Sequence, residues 1–364
     1  MTVPARVRHA GRVVAACLAW LLLGGLPACG DAPSGLANAV AAGAGAPDAR
    51  RARVLNPHVT VAASVPDVPP VPDAPPAAVA PARSDPRVVY WVDPRLPFAA
   101  LAPWRPIRQV AGPNGLLAEV PEPGIRGAAG DWALLRTADP LDARRAAYRH
   151  RIAQGFPMWG ETWRSEITAN WTDDGTNVTR GVDYWIAWAV KLEPDLVQPG
   201  AGEVSLLDFH VVPDPGDTQN NSSFHLFLRD DVLRIVSLWN AEAVTLKSRT
   251  RITQLWSEPA PPVDRWHWFV MKARFHWDAA AGPYLQIWRA VGDGPPVQIA
   301  ARAGPNAFND RAPFLPQKFG LYRWDPWTGA PTRTLYSKGF YVLRDLPGVP
   351  SLDVHALLAL LRSI

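Results

Sequence analysis

The feature that most constrains this chain is a series of short, aromatic-rich segments separated by turn-forming residues. They include Arg87-Val88-Val89-Tyr90-Trp91-Val92, Tyr184-Trp185-Ile186-Ala187-Trp188-Ala189-Val190, Phe224-His225-Leu226-Phe227-Leu228 and Leu233-Arg234-Ile235-Val236-Ser237-Leu238-Trp239. Trp266 to Phe275, Tyr284 to Trp288 and Gly339 to Leu343 continue the series. Aromatic and β-branched residues in short runs bounded by Gly, Pro and Asp read as strands. With 17 Trp, 39 Pro and only 19% charged residues, the composition fits a loop-rich β protein. No strand–helix alternation points to a parallel sheet, so the expected fold is all-β: two antiparallel sheets packed as a jelly-roll β-sandwich with a few peripheral helices.

The first 85 residues stand apart. Arg6, Arg8 and Arg12 precede an apolar run from Val13 to Leu26, the layout of an export signal. The run ends in Leu26-Pro27-Ala28-Cys29-Gly30-Asp31, which resembles a bacterial lipobox with Cys29 as the lipidated residue, although Pro27 is unusual there. Ordinary secretory cleavage is the alternative, and either route takes the protein out of the cytoplasm, to the periplasm, the outer membrane or the medium. From Gly30 to about Asp85 the chain is Ala, Pro, Val and Gly with little aromatic bulk, a composition suited to an extended spacer. The expected organisation is a signal peptide at 1–28, a disordered linker at 29–85, a jelly-roll domain at 86–350 and an amphipathic helix at 351–364.

Charge and cysteines exclude several functions. The formal net charge of +4 falls to about +1 without the three leader arginines, leaving no basic field for nucleic acid. Both cysteines, Cys17 and Cys29, lie in the first thirty residues, so the domain has no disulfide, thiol nucleophile or Cys-based zinc site. Two helices are expected. Asp139 to Gln154, with Arg144, Arg145, Arg149 and Arg151, reads as a surface helix whose charged face is solvated or meets an anionic polymer. Leu352 to Leu361, with Ser351 as N-cap, reads as a helix docked on the sandwich.

Three stretches carry chemistry-bearing residues at strand spacing. In Gln317-Lys318-Phe319-Gly320-Leu321-Tyr322-Arg323, Lys318, Gly320 and Tyr322 share one face, with Gly320 expected to open a slot for a flat ligand. Arg164-Ser165-Glu166 puts Arg164 and Glu166 on one face, and Asp208-Phe209-His210 does the same for Asp208 and His210. Together they supply cations, a base and a proton donor. Taken alone, Arg164 with Glu166 reads first as a surface ion pair, Lys318 with Tyr322 as sheet-surface residues, and His210 as either a site residue or a hydrogen-bonded strand-end histidine; only their joint occurrence points to a site.

With these residues in view, the chain resembles the heparin lyase I-type polysaccharide lyases and, more distantly, jelly-roll (concanavalin-like) alginate and glucuronan lyases. Their marks are an Arg-Ser/Thr-Glu strand, a Gln-x-His strand and a Lys-x-Gly-x-Tyr strand, matched here by Arg164-Ser165-Glu166, Asp208-Phe209-His210 and Lys318-Phe319-Gly320-Leu321-Tyr322. The resemblance spans about Trp159 to Leu343. It implies β-elimination on a uronic-acid polymer, with Arg164 gripping the sugar carboxylate, His210 or Tyr322 as base, Tyr322 as acid and Lys318 as a supporting cation. Asp208 departs from the family's Gln; Gln219, Asn220 and Asn221 are candidates for the missing amide. Glu166, His225, Arg323 and Trp324 complete the expected substrate contacts, and Trp327 offers either a stacking surface or packing.

No cofactor is expected to be required. Asp173-Asp174-Gly175-Thr176-Asn177 offers oxygen ligands for a structural calcium ion, but its spacing matches no complete calcium loop and it reads first as a turn. The expected partner is an acidic polysaccharide, with membrane contact only through a lipid anchor and a monomeric state. Two rivals remain. A non-catalytic, lectin-like binder would use the same Trp-rich sandwich, whereas a glycoside hydrolase would need a carboxylic acid pair on one strand, which is not evident.

Overall fold

The computed structural model describes residues 85–95, 110–111, 117–118, 124–126, 132–154, 162–169, 175–200, 202–218, 222–350 and 352–364. The expected signal peptide, Cys29 and all of the linker but its last residue, Asp85, lie outside these residues, as do Gln219, Asn220, Asn221, Asp173 and Asp174.

The larger sheet has nine strands. In chain order they are β1 (Val88–Val92), β4 (Gly124–Arg126), β5 (Trp132–Ala138), β6 (Ala146–Ala153), β9 (Asp183–Leu192), β14 (Trp266–Arg274), β15 (Tyr284–Val291), β16 (Val297–Ala303) and β19 (Thr332–Arg344). They run in the order β16-β15-β14-β9-β19-β6-β5-β4, with β1 also paired to β19. The second sheet, in the order β13-β12-β11-β10-β18-β7, is built from β7 (Trp163–Thr168), β10 (Glu203–His210), β11 (Ser222–Arg229), β12 (Val232–Trp239), β13 (Arg251–Pro259) and β18 (Gln317–Arg323). Two small ribbons, β2 (Val110–Ala111) with β3 (Leu117–Ala118) and β8 (Val178–Thr179) with β17 (Phe314–Leu315), complete the strands. All pairings of both large sheets are antiparallel, giving the jelly-roll β-sandwich.

The sheets are held face to face by aromatic rings. Phe319 of β18 stacks on Phe340 of β19 with centroids 5.1 Å apart, and Phe209 of β10 meets Phe340 at 6.5 Å and Phe224 of β11 at 5.7 Å. Trp188 of β9 stacks on Phe269 of β14 at 5.1 Å and reaches Phe224 at 6.2 Å. All six rings are buried. Offset and edge-to-face pairs add about 0.5–1.5 kcal/mol each beyond the area they bury.

The stretch expected as an Arg-rich helix is instead a turn followed by β6. Tyr148, His150 and Ile152 are buried at alternate positions while Arg149 and Arg151 lie on the outer face, the period of a strand. Pairing with β5 and β19 on either side overrides the helical propensity of its Ala and Arg residues. The C-terminal helix forms as expected but starts later: α1 (Val354–Arg362) is capped by Asp353, whose carboxylate accepts from the Ala356 N–H at 2.8 Å. It buries Leu357, Leu358 and Leu361. Leu361 and Ile364 press against Gly339, where a Cβ would come within 2.6 Å of the Ile364 side chain.

Truncating Phe209 to alanine removes a fully buried ring between the sheets and is expected to destabilise the domain by about 3–5 kcal/mol. Chemical denaturation of the variant against wild type measures this directly.

Candidate active site

The three strands that carry the expected chemistry are neighbours. In the order β11-β10-β18-β7, Asp208 pairs with Lys318 on one side and His225 on the other, Lys318 pairs with Thr168, Gly320 with Glu166, and Tyr322 with Arg164. Directly paired residues share a face, so Arg164, Glu166, Lys318, Tyr322, Asp208 and His225 all project from the side opposite the aromatic core. His210 joins them two residues beyond Asp208. The intervening residues Ser165, Ile167, Phe209, Phe319 and Leu321 are buried on the inner side.

Two irregularities keep β10 in phase. The register shifts between Ser205 and Leu207 against both neighbours, and between Phe209 and His210 against β11. Because of the first, Ser205 and Asp208, three residues apart, face the same way: Ser205 pairs with Tyr322, and Asp208 with Lys318.

Arg164 is fixed on three sides. Its Nε donates to Thr162 Oγ1 at 3.1 Å, a guanidinium nitrogen lies 3.7 Å from a Glu166 carboxylate oxygen, and the group sits 4.3 Å from the centre of the Tyr322 ring. Trp324, half-buried, lies 5.5 Å beyond that ring. Glu166, Asp208 and Lys318 are all at least nine-tenths buried. Burial pushes the carboxyls of Glu166 and Asp208 above their ordinary range, with Lys318 and Arg164 pulling the other way.

Both histidines are held neutral. Burial drives His210 well below its ordinary value, and the positive charges of Lys318 and Arg164 push it in the same direction. His210 Nδ1 lies 2.7 Å from the Val211 carbonyl, which can only accept, so Nδ1 carries the proton and Nε2 keeps the lone pair. His225, lowered to about 3 chiefly by burial and then by Lys318 and Arg229, stacks on Phe227 at 4.7 Å.

Two expectations are corrected. Arg323 lies on the other face, 2% exposed, with its guanidinium donating to the carbonyls of Glu203, Asp325 and Pro326 and packed over Trp327. A buried cation committed to three backbone carbonyls is a structural brace, not a substrate contact. Gly202, where a Cβ would stand 2.5 Å from that guanidinium, makes room for it. Of the two roles left open for Trp327, packing is the one the structure shows: it is buried, edge-on to Trp163 at 5.2 Å.

Gly320 does not open a slot for a ligand. At φ +134° its missing Cβ would point into the sandwich, 2.1 Å from the Ser165 carbonyl and 2.7 Å from His150 Nδ1. The glycine lets β7 and the His150 ring close up beneath the site. His150 donates from Nδ1 to the Ser165 carbonyl at 2.8 Å and accepts from the Ser337 hydroxyl at 2.9 Å, tying β7 to β19. This support, like Thr162 and Ser222, has no linear motif; it arises from pairing between distant strands.

With this geometry in place, comparison with known proteins is informative. The family model for polysaccharide lyase matches residues 132–340, more than half of the chain and all of the site strands. The chain belongs to the polysaccharide lyase family. No curated protein sequence matches it. Among solved structures, an endo-β-1,4-glucuronan lyase from the fungus Trichoderma reesei aligns at 15% identity and TM-score 0.44, covering 58% of this chain and 86% of that one. A family 7 alginate lyase in complex with substrate aligns at 12% and 0.38, covering 59% and 83%. A glycoside hydrolase family 131 catalytic domain from Coprinopsis cinerea aligns at 15% and 0.38, covering 61% and 81%. This polysaccharide lyase therefore carries its polar cluster within the region that defines the family.

Two outcomes test the support beneath the site. Gly320→Ala meets both a disfavoured φ and a backbone oxygen, and is expected to cost about 3 kcal/mol or more in thermal or denaturant unfolding. His150, fully buried and lowered to about 4 by burial, binds its proton less readily folded than unfolded. Its contribution to stability is therefore complete above ~6.5 and drains away as pH falls toward 4, by roughly 3 kcal/mol. A His150→Gln variant should show a flatter fall in stability over that window.

Proposed function

We propose that this polysaccharide lyase cleaves a uronic-acid-containing acidic polysaccharide by β-elimination. The observation that carries the reading is the convergence of two cations, a neutral histidine and a phenol on one sheet face. The proton at C5 of a uronate is weakly acidic because removing it builds charge on an already anionic carboxylate. Arg164 and Lys318 are the groups suited to take up that charge, Arg164 by gripping both oxygens and Lys318 as a point charge beside it.

His210 serves as the base. Its tautomer leaves Nε2 as the acceptor, and its depressed pKa keeps it unprotonated at neutral pH. His210 takes the C5 proton, the C5–H electron pair becomes the C4–C5 double bond, the C4–O4 bond breaks, and Tyr322 protonates the departing O4. The cycle closes when solvent returns a proton to the phenolate and removes one from the imidazolium. In register, His210 and Tyr322 fall on opposite sides of Lys318, an arrangement that favours a separate base and acid for a ring lying across the lysine. Trp324, beside Tyr322, is placed to cover the neighbouring sugar.

Alginate, glucuronan and sulfated glycosaminoglycans all offer the carboxylate this site needs, and the heparin lyase I-type resemblance keeps the last in the panel. The proposal extends to an exported protein held by a lipid on Cys29.

The test is ultraviolet absorbance of the new double bond as purified protein acts on a panel of uronic-acid polymers. Tyr322→Phe and His210→Ala should each lower kcat by about 10²–10⁴-fold with the fold intact. Because His210 titrates well below the ordinary histidine value, kcat/KM should hold as pH falls through ~6.5. Full activity in Tyr322→Phe, or a midpoint near that value, would overturn these assignments.

A further inference from the structure

Asp208 is a member of the site that the scheme above does not use. Among the described residues it faces Lys318 across β18, Arg164 and Glu166 from β7, His225 across β11, and His210 on its own strand. The two cations and two carboxyls of this cluster cancel when all four are ionised, and both imidazoles are neutral. A uronate entering such a site would leave it with a net negative charge in a region shielded from water, an unfavourable state. One proton on the carboxyl pair restores a positive site for the anion.

The geometry selects which carboxyl holds it. Glu166 is the ion-pair partner of Arg164 at 3.7 Å. Asp208 is 5% exposed, takes a hydrogen bond from Ser222, and has an Oδ1 with no hydrogen-bond partner among the described residues. A buried anionic oxygen without a donor is costly, whereas a carboxylic acid there presents an O–H.

We propose that Asp208 is a neutral carboxylic acid in the resting enzyme and donates a hydrogen bond to the carboxylate of the bound uronate. It thereby fills the place an amide would otherwise take, and the proton stays on Asp208 throughout. This inference rests on the uronate-lyase reading. The upward shift that burial imposes on the Asp208 carboxyl agrees with it. The sign follows: the donor is present at low pH and lost as pH climbs through the raised value, so uronate recognition weakens on the alkaline side.

Asp208→Asn tests the proposal, because an amide donates at every pH. On a polymer that wild type cleaves, the variant should lose the alkaline decline assigned to Asp208, so that the ratio of its kcat/KM to that of wild type rises with pH. A loss of about 10²-fold, the scale of removing a needed charged or donor group, would overturn it, as would an unchanged alkaline limb. Asp208→Gln serves the same comparison if the asparagine variant fails to fold.

Infrared difference spectra of wild type minus Asp208→Asn provide a readout independent of turnover. A carboxylic-acid carbonyl band at neutral pH, absent from the variant, supports the proposal, and its absence from wild type overturns it. Subtraction separates Asp208 from Asp310, whose carboxyl burial also pushes up, to about 7. Absence of elimination on any polymer, with the band present, would refute the lyase reading and leave the neutral acid standing.

Discussion

The contact on which this site depends is aromatic and lies on the side a ligand never sees. Phe319 sits between Lys318 and Gly320 in sequence, Phe209 between Asp208 and His210, and Phe224 beside His225. Their rings meet Phe340 and Trp188 of the facing sheet. Since successive strand residues point to opposite faces, seating these rings in the core sets the facing of every polar neighbour. The apolar seam therefore determines the arrangement of the charged cluster without touching it.

Holding two cations, two carboxyls and two imidazoles together away from water is expensive, and the molecule meets that cost in two ways. Opposite charges are set side by side, with Arg164 and Lys318 both acting on the Glu166 carboxyl, so that Coulomb attraction offsets part of the desolvation. The imidazoles stay neutral, His225 and His210 by burial beside the same cations. The result is an environment whose field is already directed before any substrate arrives, which is the arrangement that electrostatic stabilisation of a developing charge requires.

Much of this was legible in the sequence because period-two patterning and cross-strand chemistry are local. The alternation in Arg164-Ser165-Glu166, Asp208-Phe209-His210 and Lys318 to Tyr322 was enough to assign faces, and the aromatic segments were enough for a sandwich. What escaped depends on contacts between distant strands. The strand Ala146–Ala153 was hidden by the helix preference of Ala and Arg, although Tyr148, His150 and Ile152 alternate within it. Arg323 follows Tyr322 directly and looks like a third cation for the substrate, yet period two already turns it to the far side. Gly320 was recognised as special for the wrong face. Its positive φ, invisible in sequence, directs the vacancy toward His150 rather than toward the ligand.

The paired irregularities of β10 affect how this family member can change over generations. The segment Leu207–Phe209 lies between two places where the strand is already out of step with a neighbour. A residue gained or lost at either place meets backbone that has no strict partner, so length variation there can be absorbed while Asp208 and His210 keep their outward facing. The same event within the segment would put its residues out of phase, turning the Asp208 carboxyl into the aromatic seam and Phe209 out to the opposite face. The irregular points thus act as buffers against insertion and deletion, and they confine heritable length change to positions where the reactive groups are spared.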